Sequence, residues 1–254
     1  MDRRGVILDI DGIDIKGEIY IPEFGGSHPA LIICHGIPRG VPDPQDRGYP
    51  LLAERFSGEG FITMIFNFRG TGGSGGNLDL LGWTRDLGAV VDHIYSLPEV
   101  DKEDISLLGF SGGAAVSIYL AARDQRIANV VACSCPPQFG AFSSIKRANL
   151  LIEHLRDIGT IRDTDFPPSL QGWLEGFSEI SPTKWVENIS PRAILIIHGG
   201  ADEVIDPSQA QFLYARAGEP KEIVIVEGAT HRLRQDERAI DCALKWLKSR
   251  VKAD

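Results

Sequence analysis

Apolar and polar residues alternate strictly only at the start of the chain. Positions 6–10 and 13–21 follow a two-residue period, and the Asp11-Gly12 pair between them carries a hairpin signal. An antiparallel strand pair is predicted there. After Pro22 the pattern changes to short continuous apolar runs at 30–34, 61–68, 105–108, 129–133, 193–197 and 222–226. Such runs predict strands buried on both faces, as in a parallel sheet covered by helices.

Between the runs, apolar residues at helical spacing predict helices over 49–58, 83–97, 112–123, 207–217 and 237–251. Asp206 before Pro207 fits an N-cap followed by proline at the first helical position. Strands alternating with helices imply right-handed crossovers and an α/β layered fold, here a mostly parallel sheet with an antiparallel N-terminal hairpin. The 254 residues fit a single domain over 1–254. From 136 to 191 no strand is evident. This stretch holds Phe139, Phe142, a helical pattern over 144–158 with Leu150, Leu151 and Leu155, then Pro167-Pro168, Trp173 and Phe177. A connection of this length inside a domain is usually functional, and a small lid or cap is expected.

The most informative stretch for chemistry is 105–116. It reads as an apolar strand, the turn Gly109-Phe110-Ser111-Gly112-Gly113, and the start of a helix rich in small residues. Small neighbours let strand and helix approach, and the Ser111 hydroxyl would project at a helix N-terminus, where backbone N–H groups can meet an oxyanion. Gly72-Gly73-Ser74-Gly75-Gly76 fits the same Gly-x-Ser-x-Gly pattern. No helix starts at Ser74, so it is read as a flexible loop serine. A serine nucleophile needs a base and a group that orients the base. Of the six histidines, His231 lies in a loop after the 222–226 run, and His198 ends the 193–197 run. The loop position of His231 favours it as the base. Asp202, just past a strand, is the candidate orienting acid, with Asp206 as the competitor. Asp92, Asp101 and Asp104 fall in helix or turn patterns.

Net charge is −9 with no basic cluster, so nucleic acid and anionic membrane surfaces are not expected partners. The cysteines are Cys34, Cys133, Cys135 and Cys242. Cys133 and Cys135, two apart on a strand, should share a face, and buried reduced thiols are expected. With no signal-peptide apolar core after Met1, a cytoplasmic location is expected. The oligomeric state stays open, a homodimer included.

Ser111, Asp202 and His231 stand in the chain order Ser…Asp…His, which resembles the α/β-hydrolase superfamily over most of the chain. His35-Gly36-Ile37-Pro38 looks like its oxyanion loop, and Asn67-Phe68-Arg69-Gly70-Thr71-Gly72-Gly73-Ser74 looks like its Arg-Gly-x-Gly-x-Ser loop, which implies a structural role for Ser74. The chain is most similar to small serine esterases of the dienelactone-hydrolase, cinnamoyl-esterase and acylaminoacyl-peptidase-like groups. Those often carry Val-Pro after the acid, where this chain reads Glu203-Val204-Ile205-Asp206-Pro207, so Asp202 and Asp206 both stay open. The resemblance implies acyl transfer on a small-molecule ester substrate. Ser111 is then the nucleophile, His231 the base, and the N–H groups of Ile37 and Gly112 the oxyanion hole. No metal and no organic cofactor is implied. A peptidase or thioesterase on the same residues, or a non-catalytic ligand-binding homologue, are the rival readings.

Overall fold

Asp2–Ile10 (β1) and Ile13–Ile21 (β2) pair antiparallel across a turn in which Asp11 and Gly12 both take positive φ, as a two-residue hairpin requires. The structure is a computed structural model describing residues 1–23, 25–40, 48–139 and 145–251. After the hairpin come His28–Cys34 (β3), Gly48–Gly58 (α1), Ile62–Phe66 (β4), Leu80–Ser96 (α2), Val100–Phe110 (β5), Gly112–Ala121 (α3) and Ile127–Cys133 (β6). Ile145–Asp157 (α4) and Leu170–Glu179 (α5) precede Ala193–Gly199 (β7), Ser208–Arg216 (α6), Lys221–Val226 (β8) and Glu237–Arg250 (α7).

Among the described residues, eight strands form one sheet in the order β1-β2-β4-β3-β5-β6-β7-β8. β2 meets β4 antiparallel, and β4, β3, β5, β6, β7 and β8 run parallel. Alternate residues of the central strands feed two cores. Ile32, Leu107, Val130 and Ile196 pack with Trp83, Leu87 and Val91 of α2, Val116 of α3 and Leu213 of α6. Leu31, Ile33, Leu108, Val131 and Ile197 pack with Phe56 of α1 and Ile240, Leu244 and Leu247 of α7. Helices thus cover both faces, and every parallel strand ends its carboxyl side at one rim.

Several expectations are corrected. β8 is not buried on both faces: it lies at the edge of the sheet, where the helical layers run out, and Ile225 is 39% exposed. Cys133 and Cys135 do not share a face. Ser134 takes φ 45 and ends β6, so Cys133 joins the α1–α7 core and Cys135 the opposite one. Asp101 and Asp104 lie in β5 and not in a turn. Ser74 is 1% exposed, not flexible: its Oγ donates to Asn67 O at 2.6 Å and accepts from Lys16 N at 2.9 Å. All four cysteines are free.

Among the described residues of 136–191 there is no strand. Leu155, Trp173 and Phe177 are buried in the core beside α2, and Trp173 Nε1 donates to Leu78 O at 3.0 Å. Leu150 is exposed, and Phe142 lies outside the described residues.

A buried ion pair locks the hairpin turn to α2. Arg69 reaches Asp86 Oδ1 with Nη2 at 2.7 Å and Nε at 3.0 Å, and its backbone N–H reaches Asp86 Oδ2 at 2.9 Å. The same guanidinium reaches Asp11 Oδ2 at 3.0 Å. Asp86 is fully enclosed, so its charge is tolerable only with these donors in place. Asp86→Ala strands a buried arginine and should lower unfolding free energy by about 3–5 kcal/mol, read from urea denaturation.

Candidate active site

The turn between β5 and α3 is built under severe steric limits. Ser111 has φ 52 and ψ −120, a conformation costly for any side chain. A methyl group on Gly109 would fall 2.4 Å from Ala114 Cα, and one on Gly113 would fall 2.3 Å from His35 O. Both positions therefore demand glycine. The Ser111 N–H is tied to Cys133 O at 2.8 Å, and Ser111 O accepts from Ala114 N at 3.0 Å. Ser111 thus stands, half-buried, at the rim where β5 and β6 end.

The loop after β3 closes on this turn. A methyl group on Gly36 would lie 3.0 Å from Ser111 Cβ, and one on Gly112 would lie 3.5 Å from the Ile37 nitrogen. The Ile37 and Gly112 backbones therefore border the same space, next to Ser111. Gly112 opens α3, so its N–H has no acceptor within the helix. His35 sets the loop's orientation. Phe68 N–H donates to His35 Nε2 at 3.2 Å, so Nδ1 carries the hydrogen and donates to Gly36 O at 2.8 Å. A trans peptide points its carbonyl and its N–H in opposite directions. With Gly36 O drawn to the imidazole, the Ile37 N–H is turned away from it.

Asp202 and His231 meet past the ends of β7 and β8. His231 Nδ1 lies 2.9 Å from Asp202 Oδ2 and 3.1 Å from Oδ1. A carboxylate only accepts, so this fixes the hydrogen on Nδ1 and leaves Nε2 as the basic nitrogen. Asp202 Oδ1 also accepts from Val204 N and Ile205 N, each at 2.9 Å. Burial pushes the Asp202 carboxyl up, but the N–H of Ile205, the His231 ring and the N–H of Val204 together hold it below the usual carboxylate range. Asp206 takes no part. It is exposed, and its Oδ1 accepts from Ser208 N at 2.9 Å at the start of α6. Among the described residues no hydrogen bond joins Ser111 to His231.

Three neighbours have roles that the sequence does not assign to them. His35 appeared only as part of a loop motif. His198, weighed as a base, is fully buried with Nε2 on Ile205 O at 3.0 Å, so it serves the turn after β7 instead. Glu203 is exposed and accepts the His231 N–H at 3.2 Å, with Arg39 at 3.9 Å from it. The signal for His198 was its place four residues before Asp202 at the end of an apolar strand.

Among the described residues no cluster of His, Cys, Asp and Glu could hold a metal ion, and no helix is long and apolar enough to cross a membrane.

Burial of the His35 ring pushes its pKa down to about 4, against a smaller upward pull from the Gly36 carbonyl. The unfolded chain takes up this proton near the ordinary histidine value of 6.5, while the folded chain resists it until about 4. The stability involved is fully present above that upper value and is lost as pH falls to the lower one. Urea titrations at pH 7 and pH 4 should show His35→Gln losing about 3 kcal/mol less on acidification than the parent.

A model of the alpha/beta hydrolase family matches residues 31–243. The chain is 27% identical to the uncharacterized protein PA2218 of Pseudomonas aeruginosa, over 90% of this chain and 74% of that protein. It is 26% identical to the polyketide transferase ATR5 of Stachybotrys chlorohalonatus, over 87% of each. Among solved structures, Est1E of Butyrivibrio proteoclasticus with ferulic acid bound superposes with a TM-score of 0.71 at 20% identity, over 96% of both chains.

Proposed function

The chain belongs to the alpha/beta hydrolase family, and on that footing we propose that it is a serine hydrolase of carboxylic esters with Ser111, Asp202 and His231 as its triad. The observation that carries this reading is the Asp202–His231 bond at 2.9 Å at the rim that also holds the strained Ser111 turn. In the proposed cycle His231 Nε2 takes the Ser111 proton as Oγ bonds to the ester carbonyl carbon. The carbonyl electrons move to oxygen, where the N–H groups of Ile37 and Gly112 receive the charge. Collapse breaks the ester C–O bond, and His231 returns the proton to the leaving alcohol. Water then adds to the acyl-serine through the same base, releasing the acid and restoring Ser111. The hydrogen on Nδ1, held by Asp202, keeps Nε2 free to act in both halves.

Ser111→Ala should reduce ester turnover by on the order of 10⁶ and abolish labelling by a fluorophosphonate probe. Near-parental turnover in that variant removes the assignment. Asp202→Ala and Asp206→Ala should part company: the first loses about 10⁴ in kcat, the second keeps most of its activity. Faster cleavage of aminoacyl amides than of p-nitrophenyl esters would move the substrate class to peptides.

The 136–191 segment is proposed as the cap over this site. It leaves the sheet at Ser134, beside the Cys133 carbonyl that holds Ser111 N–H. Half-buried Phe139, edge-on to Phe177 at 5.6 Å, lies five residues past that exit. Phe139→Ala should shift the preferred acyl length in a p-nitrophenyl ester series while leaving acetate turnover within about twofold. An unchanged length profile would reduce the segment to packing.

A further inference from the structure

We propose that His198 is a positioning residue for this reaction: from the buried end of β7 it clamps the 202–205 turn and so fixes the Asp202 carboxylate against His231. The inference rests on the triad reading above and concerns a residue that reading does not use. His198 is fully enclosed. Its Nε2 lies 3.0 Å from Ile205 O and 3.2 Å from Asp202 Oδ2. Both neighbours are acceptors, so Nε2 carries the hydrogen and directs it at the Ile205 carbonyl. The same Ile205 returns its own N–H to Asp202 Oδ1 at 2.9 Å, beside Val204 N–H at the same distance. The turn is therefore gripped on both sides of one residue, through two successive peptides. The ring holds its carbonyl, and the acid receives its N–H.

A satisfied core histidine would explain the burial but not the polar balance. His198 Nδ1 is buried with no hydrogen-bond partner. A buried polar atom left unpaired is unfavourable, and an apolar ring of the same size would avoid it. The imidazole thus gains only through Nε2, and everything Nε2 reaches belongs to the acid and its turn. Without the clamp the 202–205 turn is free to swing. Asp202 would then lose alignment with His231 Nδ1 together with the N–H donors that stabilise its ionised form.

The test uses the full-length protein and three variants: His198→Phe, His198→Gln and Ser111→Ala. Phenylalanine fills the space without a donor, and glutamine can present an amide N–H near the place of Nε2. In p-nitrophenyl ester hydrolysis, His198→Phe should lose about tenfold or more in kcat with KM within about twofold. The acid limb of its kcat/KM profile should move to lower pH, because a carboxylate swung away from His231 Nδ1 no longer stabilises the protonated ring. His198→Gln should return kcat to within about threefold of the parent. In proton NMR, the low-field resonance of the His231 Nδ1 hydrogen should be present in the parent and in Ser111→Ala, absent or broadened in His198→Phe, and present again in His198→Gln. A folded His198→Phe protein with the parent's kcat, acid limb and resonance overturns the proposal. So does a folded His198→Gln protein that shows neither recovery of kcat nor the resonance. Should Ser111→Ala hydrolyse esters like the parent, the triad reading fails instead, and the resonance, which needs no turnover, still decides whether His198 holds the acid.

Discussion

Three backbones meet around Ser111 with no space for one more carbon. The β5–α3 turn, the first turn of α3 and the loop after β3 approach so closely that methyl groups on Gly109 and Gly113 would fall inside van der Waals contact of main-chain atoms. Close packing of this kind turns small displacements into large energies, so the turn has one arrangement. That constraint holds the Ser111 hydroxyl away from the core and brings the Ile37 and Gly112 backbones to a common space. It also explains the strained φ at Ser111: the surrounding contacts over-determine it.

Two buried histidines support this rim with opposite hydrogen placements. His35 carries its hydrogen on Nδ1, for Gly36 O, while His198 carries its hydrogen on Nε2, facing Ile205 O. Each ring acts on a peptide group one step removed from the proposed chemistry. His35 orients the peptide that supplies the Ile37 N–H, and His198 grips the 205–206 peptide, next to the one whose N–H reaches Asp202. Imidazole suits both places because one ring offers a donor and an acceptor on a rigid frame. His231, by contrast, lies nearer the surface with its ring 10% exposed, where Nε2 can meet a substrate.

The architecture was readable because its physics is periodic. Alternation gave the β1–β2 hairpin, and continuous apolar runs gave the inner strands, whose two buried faces leave no polar positions. The same rule failed at β8, since an apolar run does not say whether a strand lies inside a sheet or at its edge. Cys133 and Cys135 show a second limit. A period of two predicts a shared face only while the backbone stays extended, and Ser134 departs from it. Asp202 and His231 were identifiable from chain order and residue type, and the structure joins them. The Arg69–Asp86 pair was not, because a buried ion pair between a loop and a helix seventeen residues on has no local signature.

Some of what sequence could not reveal at the site is main chain. Val204 N–H and Ile205 N–H reach Asp202 whatever side chains those residues carry, and the N–H groups of Ile37 and Gly112 could be named only through the family resemblance. Side chains enter as constraints on those peptides, through glycine where a carbon cannot fit and through histidine where a peptide must be turned. The division has an electrostatic reason. Burial alone would push Asp202 toward its neutral form, which could not hold a hydrogen on His231 Nδ1. Fixed backbone dipoles reverse that tendency without bringing a second buried cation into the rim, and they need no reorganisation when charge moves. The acid therefore stays ionised because of the turn it begins, and the turn keeps its shape because a strand-end histidine faces its carbonyl.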